Sequence, residues 1–151
     1  MLKLKIPPPV YALSVALVMW LFSRIFPVAT LITHPWHNIG FVIIALAAII
    51  DFTSLYWFFK KRTTPNPMKP GFTTGLVFDG MYKISRNPMY LGMLTMLFGF
   101  AVYLGKLTPF LVLPAFYFVI TEMQIKPEEE ILEKKFGEQY LDYKRKVRRW
   151  L

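Results

Sequence analysis

Residues 39–59 read I-G-F-V-I-I-A-L-A-A-I-I-D-F-T-S-L-Y-W-F-F, twenty-one positions carrying one charge, Asp51, before Lys60, Lys61 and Arg62 end the run abruptly. A helix rises about 1.5 Å per residue, so such a run reaches across the roughly 30 Å hydrocarbon core of a bilayer. This stretch decides the fold class. The chain is expected to be all-α and integral to a membrane.

Three further apolar runs have the same character. One covers about residues 10–26, after Lys3, Lys5 and the Pro7-Pro8-Pro9 stop. No small-x-small cleavage site follows it, so a retained first span is expected in place of a secretory signal. The others cover 89–104 and 107–125, with only Gly105 and Lys106 between them, which demands a tight helical hairpin. Gly92, Gly99 and Gly105 provide small surfaces for close helix packing. The expectation is one domain, residues 1–151, with four transmembrane helices.

The polar segments complete the plan. Residues 63–88 hold Pro65, Pro67, Pro70, Gly71, Gly75, Gly80 and Pro88, and read as an irregular connection with turns. From Pro127 the tail is helical in pattern. Leu132, Phe136, Tyr140, Tyr143, Val147 and Trp150 recur every three or four residues, and Lys134, Lys135, Lys144, Arg145, Lys146, Arg148 and Arg149 supply a basic face. Pro127 suits a helix start, and Glu128 to Glu130 suit its dipole. Such a basic amphipathic helix can lie on a membrane surface. Basic residues number two before the first span, one after it, six in the long loop, one in the hairpin turn and eight from Lys126 onward. The positive-inside rule then places both termini, the loop 63–88 and the tail 127–151 in the cytoplasm, as a cap over the ends of the last two spans. A bacterial inner membrane fits this plan.

Composition agrees and excludes. The chain is 55% hydrophobic and 17% aromatic, above the ~45–50% apolar content of soluble domains. The net charge of +9 invites nucleic acid, but the basic residues flank apolar runs, which points to lipid headgroups and topology. No nucleic-acid partner is expected. With no cysteine, disulfides, thiolate metal sites and cysteine nucleophiles are excluded. His34 and His37 have H-x-x-H spacing but lack a third ligand, so no metal is expected. No phosphate loop, dinucleotide fingerprint or Ser/His/Asp set is present.

Two segments meet at the cytoplasmic side. One is T-G-L-V-F-D-G-M-Y-K-I-S-R-N-P-M-Y, residues 74–90; the other is P-E-E-E-I-L-E-K-K-F, residues 127–136. A pocket between them would have apolar walls and a few convergent polar groups, the usual make-up of a small-ligand site. Their motifs are Leu76-Val77, Gly80-Met81-Tyr82 and Arg86-Asn87-Pro88-Met89-Tyr90, then Glu128-Glu129, Leu132 and Phe136-Gly137 with Tyr140 and Tyr143. In this order, flanking a two-helix hairpin, they resemble the isoprenylcysteine carboxyl methyltransferase family and its phospholipid methyltransferase relatives, over about residues 72–151.

The resemblance implies an S-adenosyl-L-methionine pocket. By position the cofactor would touch Thr74, Gly75, Leu76, Val77, Tyr82, Asn87, Pro88, Met89, Tyr90 and Glu128, with Arg86, Glu128 and Glu129 as the catalytic candidates. Physically, Pro88 just inside a helix start leaves free N–H groups for a carboxylate. Glu128 can accept from ribose hydroxyls or an ammonium group. Tyr82 and Tyr90 can face a sulfonium ion or the adenine. Arg86 can equally pair with Glu128 or Glu129 and hold the loop on the tail.

Two positions depart from the family pattern. Asn87 stands for a histidine, so a titratable role there is lost. Gln124 stands where the prenylcysteine enzymes carry an arginine implicated in the substrate carboxylate, and an amide cannot replace a guanidinium. Gln124 and Glu122 are the substrate-contact candidates. The function expected is methyl transfer to an amphiphilic or lipid-like acceptor in the membrane, resembling prenylcysteine carboxyl methylation. The alternatives are phospholipid N-methylation, methylation of a small thiol, and a non-catalytic membrane scaffold or lipid-binding subunit. Asp51, a carboxylate inside a span, is a further candidate; its partner could be Lys60, a helix hydroxyl or substrate.

Overall fold

The computed structural model describes residues 4–61 and 74–151. The first part, 63–73, of the irregular segment expected over 63–88 lies outside them. Helix α1 spans Pro8–Ile25, α2 Ile39–Lys60, α3 Pro88–Leu104, α4 Leu107–Ile120, α5 Lys126–Phe136 and α6 Glu138–Lys146. Short 3-10 turns at Trp36–Asn38 and Gly80–Lys83 precede α2 and α3, and a π turn, Thr121–Ile125, joins α4 to α5. No strand of more than an isolated bridge occurs among the described residues. The all-α expectation stands.

Three helical stretches are long and apolar enough to cross a membrane: Pro8–Ile25, Trp36–Lys60 and Leu107–Phe136. With α3, an apolar helix of 17 residues, they build an integral membrane protein. α3 lies at the centre, with α2 packed along one side and α1 with α4 along the other. Met19, Leu97, Ala101, Phe116 and Ile120 interlock between α1, α3 and α4. Large side chains on the outer faces, among them Leu17, Trp20, Phe41, Leu46 and Phe52, stay exposed, as suits a surface solvated by lipid. Because lipid removes the hydrophobic drive between helices, close approach has to come from small residues. At the α2–α3 seam, a methyl on Gly40 would land on the Gly99 carbonyl and lie 2.7 Å from the Tyr103 nitrogen.

Three local readings are corrected. The prolines expected to stop the chain before the first span instead open α1, with Pro8 at its first position; a fixed φ and a missing N–H cost nothing there. Pro127 does not begin a new helix, since α4, the π turn and α5 run on without a break. The Met123 carbonyl that Pro127 cannot bond accepts the N–H of Leu4 instead, at 3.1 Å. The tail is not one helix along the membrane surface. It breaks at Gly137, whose φ is +51°, and α6 folds back. Its apolar stripe then faces protein: Tyr140 and Tyr143 are buried, and Trp150 packs on Tyr117 with ring centres 4.9 Å apart.

Candidate active site

The return of α6 creates a cavity of about 190 Å³ at the end of the bundle where α1 and α3 begin and α2 and the α4–α5 helix end. Its position follows from local chain chemistry. Asn87 ends the loop, and Pro88 occupies the first position of α3. The Asn87 side chain does not cap this helix; its Nδ2 donates to the Arg149 carbonyl at 3.0 Å. The first-turn N–H groups of Met89 and Tyr90 therefore stay without a side-chain cap at the cavity wall.

The C-terminal segment closes the site by stitching to the loop. Arg86 N donates to the Arg148 carbonyl at 3.0 Å, and the Ser85 hydroxyl donates to the Arg149 carbonyl at 3.3 Å. Tyr143 Oη donates to the Tyr82 carbonyl at 2.7 Å, and Tyr82 sits edge-on to Phe58 with centroids 5.4 Å apart. Helices α2, α6 and the loop are thus tied through one tyrosine.

The two adjacent glutamates have different surroundings. Glu129 is 5% exposed and fully engaged. Arg86 Nη2 lies 2.9 Å from its Oε1, while Arg149 donates Nε to Oε1 at 3.1 Å and Nη2 to Oε2 at 2.8 Å. Glu128 is half-buried and lines the cavity. Its one hydrogen bond among the described residues comes from Tyr90 Oη, at 3.0 Å. Burial raises the Tyr82 phenol well above its ordinary range, with the Glu128 charge contributing, and burial raises Tyr143 likewise.

The residues nominated from sequence largely converge. Gly75, Leu76, Val77, Tyr82, Asn87, Pro88, Met89, Tyr90 and Glu128 line the cavity, as do Arg86 and Glu129. Thr74 is exposed, next to Gly75 but outside the lining. The two acceptor-contact candidates are not brought to the cavity. Gln124 is fully buried, and its Nε2 donates to the Ile6 carbonyl at 2.8 Å. Glu122 is exposed and paired with Lys126. Lys60 is not the partner of Asp51; its ammonium lies 4.6 Å from the Trp57 ring centre. Asp51 instead faces Gly92, where an added methyl would land on its carboxylate, and its Oδ1 has no hydrogen-bond partner among the described residues. His34 and His37 sit together at the other end of the bundle, with rings 5.5 Å apart.

The lining also includes residues that sequence reasoning missed: Pro8 and Pro9 from α1, Phe58 from α2, and Met93, Leu132, Tyr140 and Tyr143. Leu132 was findable, since it lies four residues, one helical turn, after Glu128. Tyr140 and Tyr143 read as packing residues and are both packing and wall. Nothing local marks Pro8, Pro9 or Phe58.

A model of the phospholipid methyltransferase family matches residues 35–139, which include most of the cavity wall and both glutamates. The chain belongs to the phospholipid methyltransferase family. Methyl transfer is the activity that membership implies, and the resemblance read from the two motif segments agrees with it. A protein of Haemophilus influenzae, described only as uncharacterized, is 46% identical over 63 residues, 42% of this chain and all of that protein. No solved structure matches. For this family member, the cavity at the start of α3 is the candidate active site.

Proposed function

We propose that the chain transfers a methyl group from S-adenosyl-L-methionine to an amphiphilic, lipid-like acceptor at the cytoplasmic membrane face. The observation carrying this reading is Glu128: a carboxylate facing an aromatic cavity with no cation paired to it among the described residues, beside the uncapped first turn of α3. The donor set suits that cofactor. A single uncommitted carboxylate can hold its ammonium group or ribose hydroxyls, free N–H groups at a helix start suit its carboxylate, and Tyr82, Tyr90, Tyr140 and Phe58 offer ring faces to a sulfonium or an adenine. Bound there, the cofactor supplies a methyl group already activated by its positive sulfur.

The protein's own work is then alignment and exclusion of water. Arg86, Glu129 and Arg149 serve as a frame that fixes the loop against α5 and leaves Glu128 in position. Tyr90 orients the Glu128 carboxylate. Tyr82, clamped by Phe58 and Tyr143, closes the wall between loop and membrane.

N-methylation of a phospholipid headgroup is favoured over carboxyl methylation by one feature. Arg86, a cation of the lining, is already paired with Glu129, and Gln124 is turned away to Ile6. The site so described has no free cation to receive an acceptor carboxylate. In this reading α3 is a fourth span, both termini are cytoplasmic, and the membrane is a bacterial inner membrane.

Calorimetric titration of the detergent-purified chain with S-adenosylhomocysteine tests the reading. Wild type should bind in the micromolar range, and Glu128→Gln should weaken binding about tenfold or more, the scale of one charge-assisted hydrogen bond. A folded wild type that does not bind would leave a lipid-binding scaffold as the better description. Mass analysis of lipid products then separates N-, O- and S-methylation.

A further inference from the structure

The opposite end of the bundle holds a second cavity, of about 310 Å³, where α1 and α3 end and α2 and α4 begin. Arg24, His37 and Lys106 line it, together with the Ser23 and Thr30 hydroxyls and the apolar side chain of Leu104. Main-chain bonds build its frame. Leu31 and Ile32 donate to the Gly105 carbonyl at 2.8 and 3.1 Å, and Leu107 donates to the Ala29 carbonyl at 3.0 Å. Lys106 Nζ is held on Thr30 Oγ1 at 2.6 Å. The Arg24 side chain has no hydrogen bond or ion pair among the described residues.

This end of the protein contains cations and no carboxylate. The sequence has no Asp or Glu from residue 1 to 50, nor from 80 to 121. Asp51 lies twelve residues into α2, about 18 Å along a helix from its start. The charges of Arg24 and Lys106 therefore have no compensation from the protein. Around the cavity, Phe26, Val28, Leu31 and Trp36 are all more than half exposed. An apolar belt with a tryptophan next to a basic cup is the arrangement expected at a membrane–water boundary. A phosphate seated there would meet a guanidinium fork, an ammonium and the Thr30 hydroxyl, the Ser23 hydroxyl being given to the Trp20 carbonyl at 2.7 Å, and acyl chains would run down the exposed helix faces.

We propose that this cup binds the phosphate group of an anionic phospholipid in the leaflet opposite the candidate active site, with Arg24 and Lys106 as its cationic ligands. The site is separate from the methyl-transfer cavity and does not depend on it.

Native mass spectrometry of the full chain, released from detergent with phosphatidylglycerol, phosphatidylcholine or inorganic phosphate, tests this. Phosphatidylglycerol adducts should persist. Arg24→Gln should reduce them about fivefold, the equivalent of roughly 1 kcal/mol per basic side chain at an anionic surface, and Arg24→Gln with Lys106→Gln should remove them. Lys134→Gln with Lys135→Gln, on the tail, should leave them intact. Because Lys106 also supports Thr30, Arg24→Gln carries the decision, its side chain having no bond among the described residues to lose. Adducts unchanged in Arg24→Gln, or lost only in the tail variant, would overturn the site. Displacement of phosphatidylglycerol by an equal concentration of inorganic phosphate would overturn the lipid as its source.

Discussion

Glu129→Gln isolates the frame of the active site from its chemistry. Glu129 and Arg86 have side-chain exposures of 6% and 8%, so removing the carboxylate charge leaves a guanidinium buried and unpaired. Breaking one partner of a buried pair costs about 3–5 kcal/mol. For a chain of this size each kcal/mol moves Tm by roughly 2–4 °C, which gives a fall of about 6–20 °C. Arg149→Gln removes two charge-assisted bonds from a side chain that is 35% exposed. It leaves Glu129 paired with Arg86, so the cost should be only about 1–2 kcal/mol. Arg86→Gln combined with Glu129→Gln leaves only Arg149 without its carboxylate, 35% exposed and within reach of water, and should recover at least half of the Glu129→Gln loss, a coupling that a double-mutant cycle with Arg86→Gln reads directly. Thermal unfolding in dodecyl maltoside, followed by tryptophan fluorescence, measures all five proteins, the Arg86→Gln single variant included. A Glu129→Gln protein that melts with wild type, an equally damaging Arg149→Gln, or a double variant that is the least stable of the set would each refute the buried pair as the frame.

Tyr90→Phe removes the hydrogen bond that holds the Glu128 carboxylate and should weaken S-adenosylhomocysteine binding about fivefold, the scale of one hydrogen bond, as the same calorimetric titration would show. At the α2–α3 seam, Gly40→Ala meets backbone atoms and Gly92→Ala meets the end of a side chain. Overpacking costs about 1–3 kcal/mol, so Gly40→Ala should lie at or above the top of that range. Gly92→Ala should cost less and be partly rescued by Asp51→Ala, as thermal unfolding of the single and double variants would show.

Much of this was legible in one dimension. Membrane residence followed from residues 39–59, because twenty-one mostly apolar positions with one charge leave a helix in lipid as the arrangement that satisfies its backbone. The two motif segments, 74–90 and 127–136, supply most of the residues that line the cavity. Sequence spacing reported which face of a helix is apolar, and that property belongs to each helix alone.

The tertiary structure decided what depends on two distant residues meeting. Glu128 and Glu129 are equivalent as neighbours in a string. Only the break at Gly137 brings Arg149 back to Glu129 and leaves Glu128 to Tyr90 and the cavity. Likewise Gln124, nominated for substrate, turns to Ile6, 118 positions away, while Pro8 and Phe58, which no motif marks, become wall. Periodicity encodes burial, a one-residue quantity; ion pairing and cavity shape are set by distances between elements, which no local pattern contains.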